Sequence, residues 1–265
     1  MKRNFALILL CFFACSFSVP QVFHSKETAA AKQYIELRIY HFNTGQQLLR
    51  VDSFLKQALV PALHEAGIEK VGVFTPVDID TATDKKMYVL IPHKTLKEFE
   101  ELPLKLEKNK MYMEAGAAYM NTVYNQPAYA RFETILLQAF EGVPEIKAPQ
   151  LTGEKANRVY ELRSYESSTE KLHQNKVQMF TKGGETGLFQ RLGFNPIFYG
   201  HVLSGSRMPN LMYMTSFENK TARDENWKAF SSDPFWKTLS AKPEYQNNVS
   251  KIDIVFLTPA TYSDL

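Results

Sequence analysis

The chain has 265 residues, 45% of them apolar and 22% charged, a globular balance with room for one large or two small domains. Its formal charge of +3 comes without a basic run, which sets aside nucleic-acid binding. The 19 Phe and 13 Tyr against 2 Trp point to β-rich cores or an aromatic-lined cavity.

Residues 1–18 read as a secretory signal. Lys2 and Arg3 supply the positive end, and Phe5 to Ala14 is an apolar run too short to cross a bilayer. Ala14-Cys15-Ser16 and Ser16-Phe17-Ser18 both offer small residues at a cleavage site. An uncleaved anchor is the other reading. Cleavage removes Lys2 and Arg3, lowers the charge from +3 to +1, and takes away Cys11 and Cys15, the only cysteines. That excludes disulfides, thiol catalysis and zinc–thiolate sites from the mature chain. A lipid anchor on Cys15 lacks the leucine expected three residues earlier, where Phe12 stands. The expectation is an exported, periplasmic or secreted protein with no transmembrane segment after signal removal.

A flexible leader covers 19–33. Tyr34 to Tyr40 then alternates strictly, with Ile35, Leu37 and Ile39 on one face and Glu36, Arg38 and Tyr40 on the other, as a strand requires. Helical spacing follows over 46–66, with Pro61 expected to kink the helix or mark its last turn and a cap at Gly67. Strands are expected at 71–74 and 87–91 around a polar turn at 78–85. Residues 95–120 are helical with breaks near Pro103 and Gly116, and 131–140 is a fourth strand. Residues 141–158 are rich in Pro, Gly and charge and read as a linker. The order then repeats: strand 159–165, helix 168–191 with a break at Gly183-Gly184, strand 196–203, strand 211–217, helix 221–240 interrupted at 231–234, and strand 250–257.

The repeat is explicit. Glu36-Leu37-Arg38-Ile39-Tyr40 recurs 125 positions later as Glu161-Leu162-Arg163-Ser164-Tyr165, and Met87-Tyr88 recurs as Met212-Tyr213 at the same offset. Each unit, 34–140 and 159–265, has the β-α-β-β-α-β order of a ferredoxin-like fold. The fold class is α+β. Two such units can bury their bare sheet faces against each other as an α/β barrel, within one chain or across a homodimer.

These features resemble the NIPSNAP family of the dimeric α/β-barrel superfamily. The resemblance rests on Tyr34 to Tyr40, Val159 to Tyr165, the stretch Gly193-Phe-Asn-Pro-Ile-Phe-Tyr-Gly200, and the end Leu257 to Leu265. It implies the barrel and a biochemical role that is mostly unknown. Eukaryotic relatives are mitochondrial interaction and adaptor proteins. The superfamily also includes cofactor-independent monooxygenases and haem-binding barrels.

Candidate site residues come from the two opening strands. Helices are expected to cover Ile35, Leu37 and Ile39, which turns Glu36, Arg38, Tyr40, Glu161, Arg163 and Tyr165 toward the barrel interior. Buried charges cost several kcal/mol unless paired, so ion pairs within each strand or between copies are the simplest arrangement. Alternatively, Arg38 or Arg163 holds an acidic or amphipathic ligand. Among the histidines, His41 and His201 stand at strand ends and could act as a base or bind haem. A hydrogen-bonded strand-end histidine is the plainer reading, and Glu166 replaces His41 in the second copy. Tyr88, Tyr213, Phe74 and Phe198 are candidates to line the interior. Asp78, Asp80 and Asp84 read as a solvated turn, and Gly183-Gly184-Glu185-Thr186-Gly187 as a helix break rather than a phosphate loop.

No catalytic residue, metal or cofactor is assigned from the sequence. The expectation is a binding or interaction module for a small apolar or acidic molecule. The alternatives are a cofactor-independent monooxygenase or a haem barrel.

Overall fold

A computed structural model describes residues 31–265. The expected signal segment, Cys11, Cys15, His24 and most of the expected leader lie outside the described residues. The first unit runs β1 (Tyr34–Phe42), α1 (Gly45–Phe54), a π-helical turn (Leu55–Leu59), α2 (Val60–Glu65), β2 (Gly72–Pro76), β3 (Lys85–His93), α3 (Leu96–Glu107), α4 (Lys110–Ala115), α5 (Ala117–Met120) and β4 (Arg131–Ala139). The second runs β5 (Val159–Glu166), α6 (Glu170–Phe180), α7 (Glu185–Arg191), β6 (Asn195–Ser204), β7 (Asn210–Phe217), α8 (Lys220–Ser232), α9 (Pro234–Ser240) and β8 (Lys251–Pro259).

The helix starts are written in the sequence. Thr44 and Thr169 accept from the backbone N–H of Gln47 and Leu172 at matching points of the two units. Thr95 and Asn219 do the same for Glu98 and Ala222. Pro61 has no N–H to donate, and the turn before it is wound as a π-helix, with the Val60 N–H reaching back to the Leu55 carbonyl. Pro103 sits inside α3 without ending it, so the expected break there is absent. The chain breaks instead at Lys108–Asn109, where the Asn109 side chain caps α4.

The eight strands close into one antiparallel barrel, in the order β1-β3-β2-β8-β5-β7-β6-β4 and back to β1. The barrel therefore forms within a single chain. Each unit supplies four contiguous strands, and two seams join them. At the first, Phe74, Thr75 and Pro76 of β2 face Pro259, Thr258 and Leu257 of β8. At the second, β4 pairs with β6 across a bulge. The 141–158 connection packs along the wall: Ile146 is buried in the barrel core, its N–H donates to the Gln33 side chain, and the Lys147 N–H donates to the Ile197 carbonyl.

Both sides of the wall are buried. The interior holds Ile35, Leu37, Phe74, Leu90, Leu137, Tyr160, Leu162, Phe198, Met214 and Leu257, drawn from both units. Outside it, one helix layer packs on Tyr40, Val73, Met87, Val89 and Ile91. The other packs on Tyr165, Tyr199, Tyr213 and Phe217.

This reverses one expectation. Ile35, Leu37 and Ile39 point into the barrel, while the Glu36-Arg38-Tyr40 and Glu161-Arg163-Tyr165 faces point out beneath the helices. The charged face can lie there because the helices bring partners for it. A second expectation is half corrected. Arg38 pairs with Val89, whereas its counterpart Arg163 pairs with Tyr213, so β3 and β7 are equivalent at an offset one residue shorter than the repeat. A one-residue slip changes faces. Tyr88 lies in the interior with Phe74 and Phe198, and Tyr213 lies under the helices.

Candidate functional site

The motif residues form two buried polar clusters. In the first unit Arg38 Nε donates to Glu36 Oε1 at 2.6 Å, and His93 Nε2 lies 3.1 Å from Glu36 Oε2. Tyr40 packs into an aromatic group with Tyr129 and Phe132. In the second, Glu161 receives Arg163 Nε at 2.7 Å, Arg223 at 2.7 and 2.8 Å, and the Trp227 indole N–H at 2.8 Å. Arg163 also donates to the Tyr165 hydroxyl, which bonds that of Tyr213, each at 3.0 Å. Burial alone would push both carboxyls up. The bonds from His93 and Arg38, and from Arg223 and Arg163, outweigh it and hold Glu36 and Glu161 below the ordinary value. Both arginines are engaged outside the barrel, so neither reaches a ligand within it. Lys176 and Glu185 make a further buried pair at 3.0 Å beneath the same helices.

The cavity lies elsewhere, at the end of the barrel where β1 and β5 finish and β3, β4, β7 and β8 begin. It encloses about 590 Å³. Its walls are Ile39, Ile135, Leu162, Met212 and Val255. Below them the interior is filled, with the Phe74 and Tyr160 rings 4.8 Å apart. The rim is polar and nearly charge-balanced. Lys86 pairs with Asp84 at 2.9 Å, Arg131 with Glu133 at 2.9 Å, and Arg207 with Asp253.

His41 stands in this rim, and its Nδ1 bonds Asp84 Oδ1 at 2.9 Å. A carboxylate only accepts, so Nδ1 carries a proton. Nε2 lies 3.1 Å from Glu133 Oε1, out of hydrogen-bond alignment. Asn210, 2% exposed, donates to Ser164 Oγ at 2.8 Å and leaves its Oδ1 without a partner. Tyr88 completes the wall. Burial, then the nearby Asp84 carboxylate, push its phenol up to about 12, so it stays a neutral donor.

His201 does not join this site. Strand alternation places it on the outer side of β6, and burial pushes its imidazole down. With His201 outside and His41 held among carboxylates, the residues do not fit a haem. Among the described residues no group of three or more His, Asp or Glu side chains is placed to hold a metal ion, and no helix is long and apolar enough to cross a membrane. Sequence reasoning missed Asp84, Glu133, Ser164, Arg207, Asn210 and Asp253 as site residues. The alternation phase of β1, once fixed by its buried Ile35, was the available signal for the inward direction of His41.

A single-chain, eight-stranded barrel built from two ferredoxin-like units is a tandem version of the dimeric α/β-barrel class. Residues 160–264 match the NIPSNAP family model, so the second unit is a NIPSNAP domain. Three solved structures resemble the chain over nearly its whole length. One is a proposed monooxygenase from Lactobacillus acidophilus NCFM, 14% identical, with TM-score 0.56 over 86% of this chain and 94% of that one. Another is a proposed monooxygenase from Fusobacterium nucleatum, 9% identical, with TM-score 0.54 over 87% and 93%. The third is an anthrone oxidase-like protein, 12% identical, with TM-score 0.50 over 88% and 93%. At these identities the likeness is one of fold. No curated protein matches the chain.

Proposed function

We propose that this protein binds a small amphipathic molecule in the open end of its barrel. The observation that carries the reading is a cavity of about 590 Å³ at the barrel mouth, where Ile39, Ile135, Leu162, Met212 and Val255 lie below a polar, charge-paired rim. A volume of that size suits a small-molecule site. The signal-like residues 1–18 support a site that works outside the cytoplasm.

Val255→Trp tests this, because it fills the cavity from a partly buried position. The wild-type protein should bind an environment-sensitive apolar dye one-to-one, and the folded variant should lose that binding. Equal dye affinity in the two would remove the barrel mouth as the site.

A second reading is cofactor-independent oxygenation of the bound molecule. It is favoured by the apolar walls and by the full-length likeness to the two proposed monooxygenases. Oxygen uptake on addition of an anthrone-like or polyphenolic compound would support it, and its absence across a panel would leave the binding reading alone.

A further inference from the structure

The barrel wall has a notch beside its mouth. Strand β2 has five residues, while its neighbours β3 and β8 have nine each. It pairs with Tyr88, Val89 and Leu90 of β3 and with Leu257, Thr258 and Pro259 of β8. The Val77 N–H, which donates to the Phe256 carbonyl, makes the last rung. Beyond it the chain leaves the wall. The Ile79 N–H turns back to the Pro76 carbonyl, and those of Thr81 and Ala82 to the Asp78 carbonyl. The Lys85 ammonium holds this turn through the carbonyls of Ile79 and Asp80. Lys85 to Met87 of β3 and Lys251 to Val255 of β8 are left with no strand between them.

About 500 Å³ of space lies in that gap, bordered by Pro76, Val77, Ala82, Ile254 and Phe256. Lys86 and Tyr88 on one lip and Ile254 and Val255 on the other border both this space and the mouth cavity, so the mouth continues sideways through the wall. The notch is apolar and stands open: Val77 and Ile254 are 57% and 42% exposed. Its charges do not call for an anion. Lys86 is held by Asp84 at 2.9 Å, Lys220 by Asp224 at 2.6 Å, and Asp78 adds a negative charge at the border.

We propose that the notch takes the uncharged hydrocarbon tail of an elongated amphiphile whose body sits in the barrel mouth. The proposal rests on the mouth being the binding site. The tail runs between the lips and lies on Ile254, Val77 and Phe256, and covering these side chains supplies its share of the affinity. The polar head stays at the charge-paired rim. The ligand class is therefore a long-chain compound rather than a compact one.

The test uses two uncharged fluorescent probes with one head and different tails, the dansyl amides of ethylamine and dodecylamine, each below its micellar concentration. Wild-type protein should bind both one-to-one, the dodecyl amide at least about tenfold more tightly, since each methylene taken out of water is worth up to about fourfold. Ala82→Trp fills the notch from the turn and does not border the mouth. It should bring the dodecyl amide to the affinity of the ethyl amide. Val77→Trp should do the same from the opposite side of the turn, and Val255→Trp, which borders both spaces, should weaken both probes. Circular dichroism confirms that each variant is folded. Equal affinity of the two amides for the wild type overturns the inference while the mouth reading stands, and leaves the gap to a strand of a partner or of a second copy. That readout needs no variant. A dodecyl advantage that survives in both Ala82→Trp and Val77→Trp also overturns it, because the tail then lies elsewhere. Binding of neither amide removes the mouth as the site, and this inference with it.

Discussion

The guanidinium carbon of Arg163 lies 3.8 Å from the centre of the Trp227 ring, while its Nε holds Glu161. One side chain thus joins strand β5 to helix α8 by a cation–π contact while it pairs with a carboxylate on its own strand. Glu161, fully buried, is the hub, because Arg163, Arg223 and Trp227 all converge on it. Glu161→Ala should destabilise the fold by about 4 kcal/mol, since it strands two arginines in a buried site. Arg163→Ala should cost less, about 2 kcal/mol, because Arg223 and Trp227 still satisfy the carboxylate. Urea unfolding of the two variants decides the order, and a larger loss for Arg163→Ala would refute the hub assignment.

The same carboxylate, with Glu36, contributes to the pH dependence of stability. Glu36 and Glu161 titrate below their ordinary value of 4.5 when folded, so the unfolded chain takes up protons first as pH falls. Their contribution is complete above about 4.5 and is lost as pH drops through the folded-state values. Glu161→Gln removes one share, so its stability gap from wild type should narrow steadily below that pH. Thermal melts across the acid range measure this, and a gap that widened toward acid would contradict the sign.

Gly183 and Gly184 form the turn between α6 and α7 for steric reasons. A Cβ on Gly183 would sit 2.4 Å from the Met179 backbone oxygen, and Gly184 has φ of +88°. Gly183→Ala should therefore cost about 2 kcal/mol through forced backbone movement. Denaturant titration showing no loss would mean that the turn relaxes freely.

Phe74 fills the closed end of the barrel beside Tyr160 and is fully buried. Phe74→Ala should destabilise by about 4 kcal/mol and leave an enclosed void. If the barrel mouth is the binding site, affinity for the apolar dye in this variant should stay within a few-fold of wild type. Dye titration at a temperature where the variant is folded checks this.

The tandem units and the order of strands and helices along the chain are legible in the sequence because each rests on a local rule. Apolar residues at helical spacing announce the helices, and the alternation in Tyr34 to Tyr40 announces a strand. Which face turns inward is not legible by the same means. Both faces of β1 are buried, one by the barrel and one by helices, so hydrophobicity alone cannot choose. The partners that let Glu36 and Glu161 lie beneath helices, His93 and Arg223, are 57 and 62 residues away. The matched pair Met87-Tyr88 and Met212-Tyr213 is a coincidence of letters, since the folded offset is one residue shorter. Asp84 reads as one carboxylate in a solvated turn, and only the pairing of β1 with β3 brings it to His41.

Closure through two seams in a single chain also frees the protein from self-mirroring. A barrel made of two identical subunits carries every wall residue twice, so a change on one wall is echoed on the opposite wall of the same end. Here His41 stands at the end of β1, while its counterpart at the end of β5 is Glu166. Each unit can vary without its twin, which lets the two walls of one opening carry different chemistry.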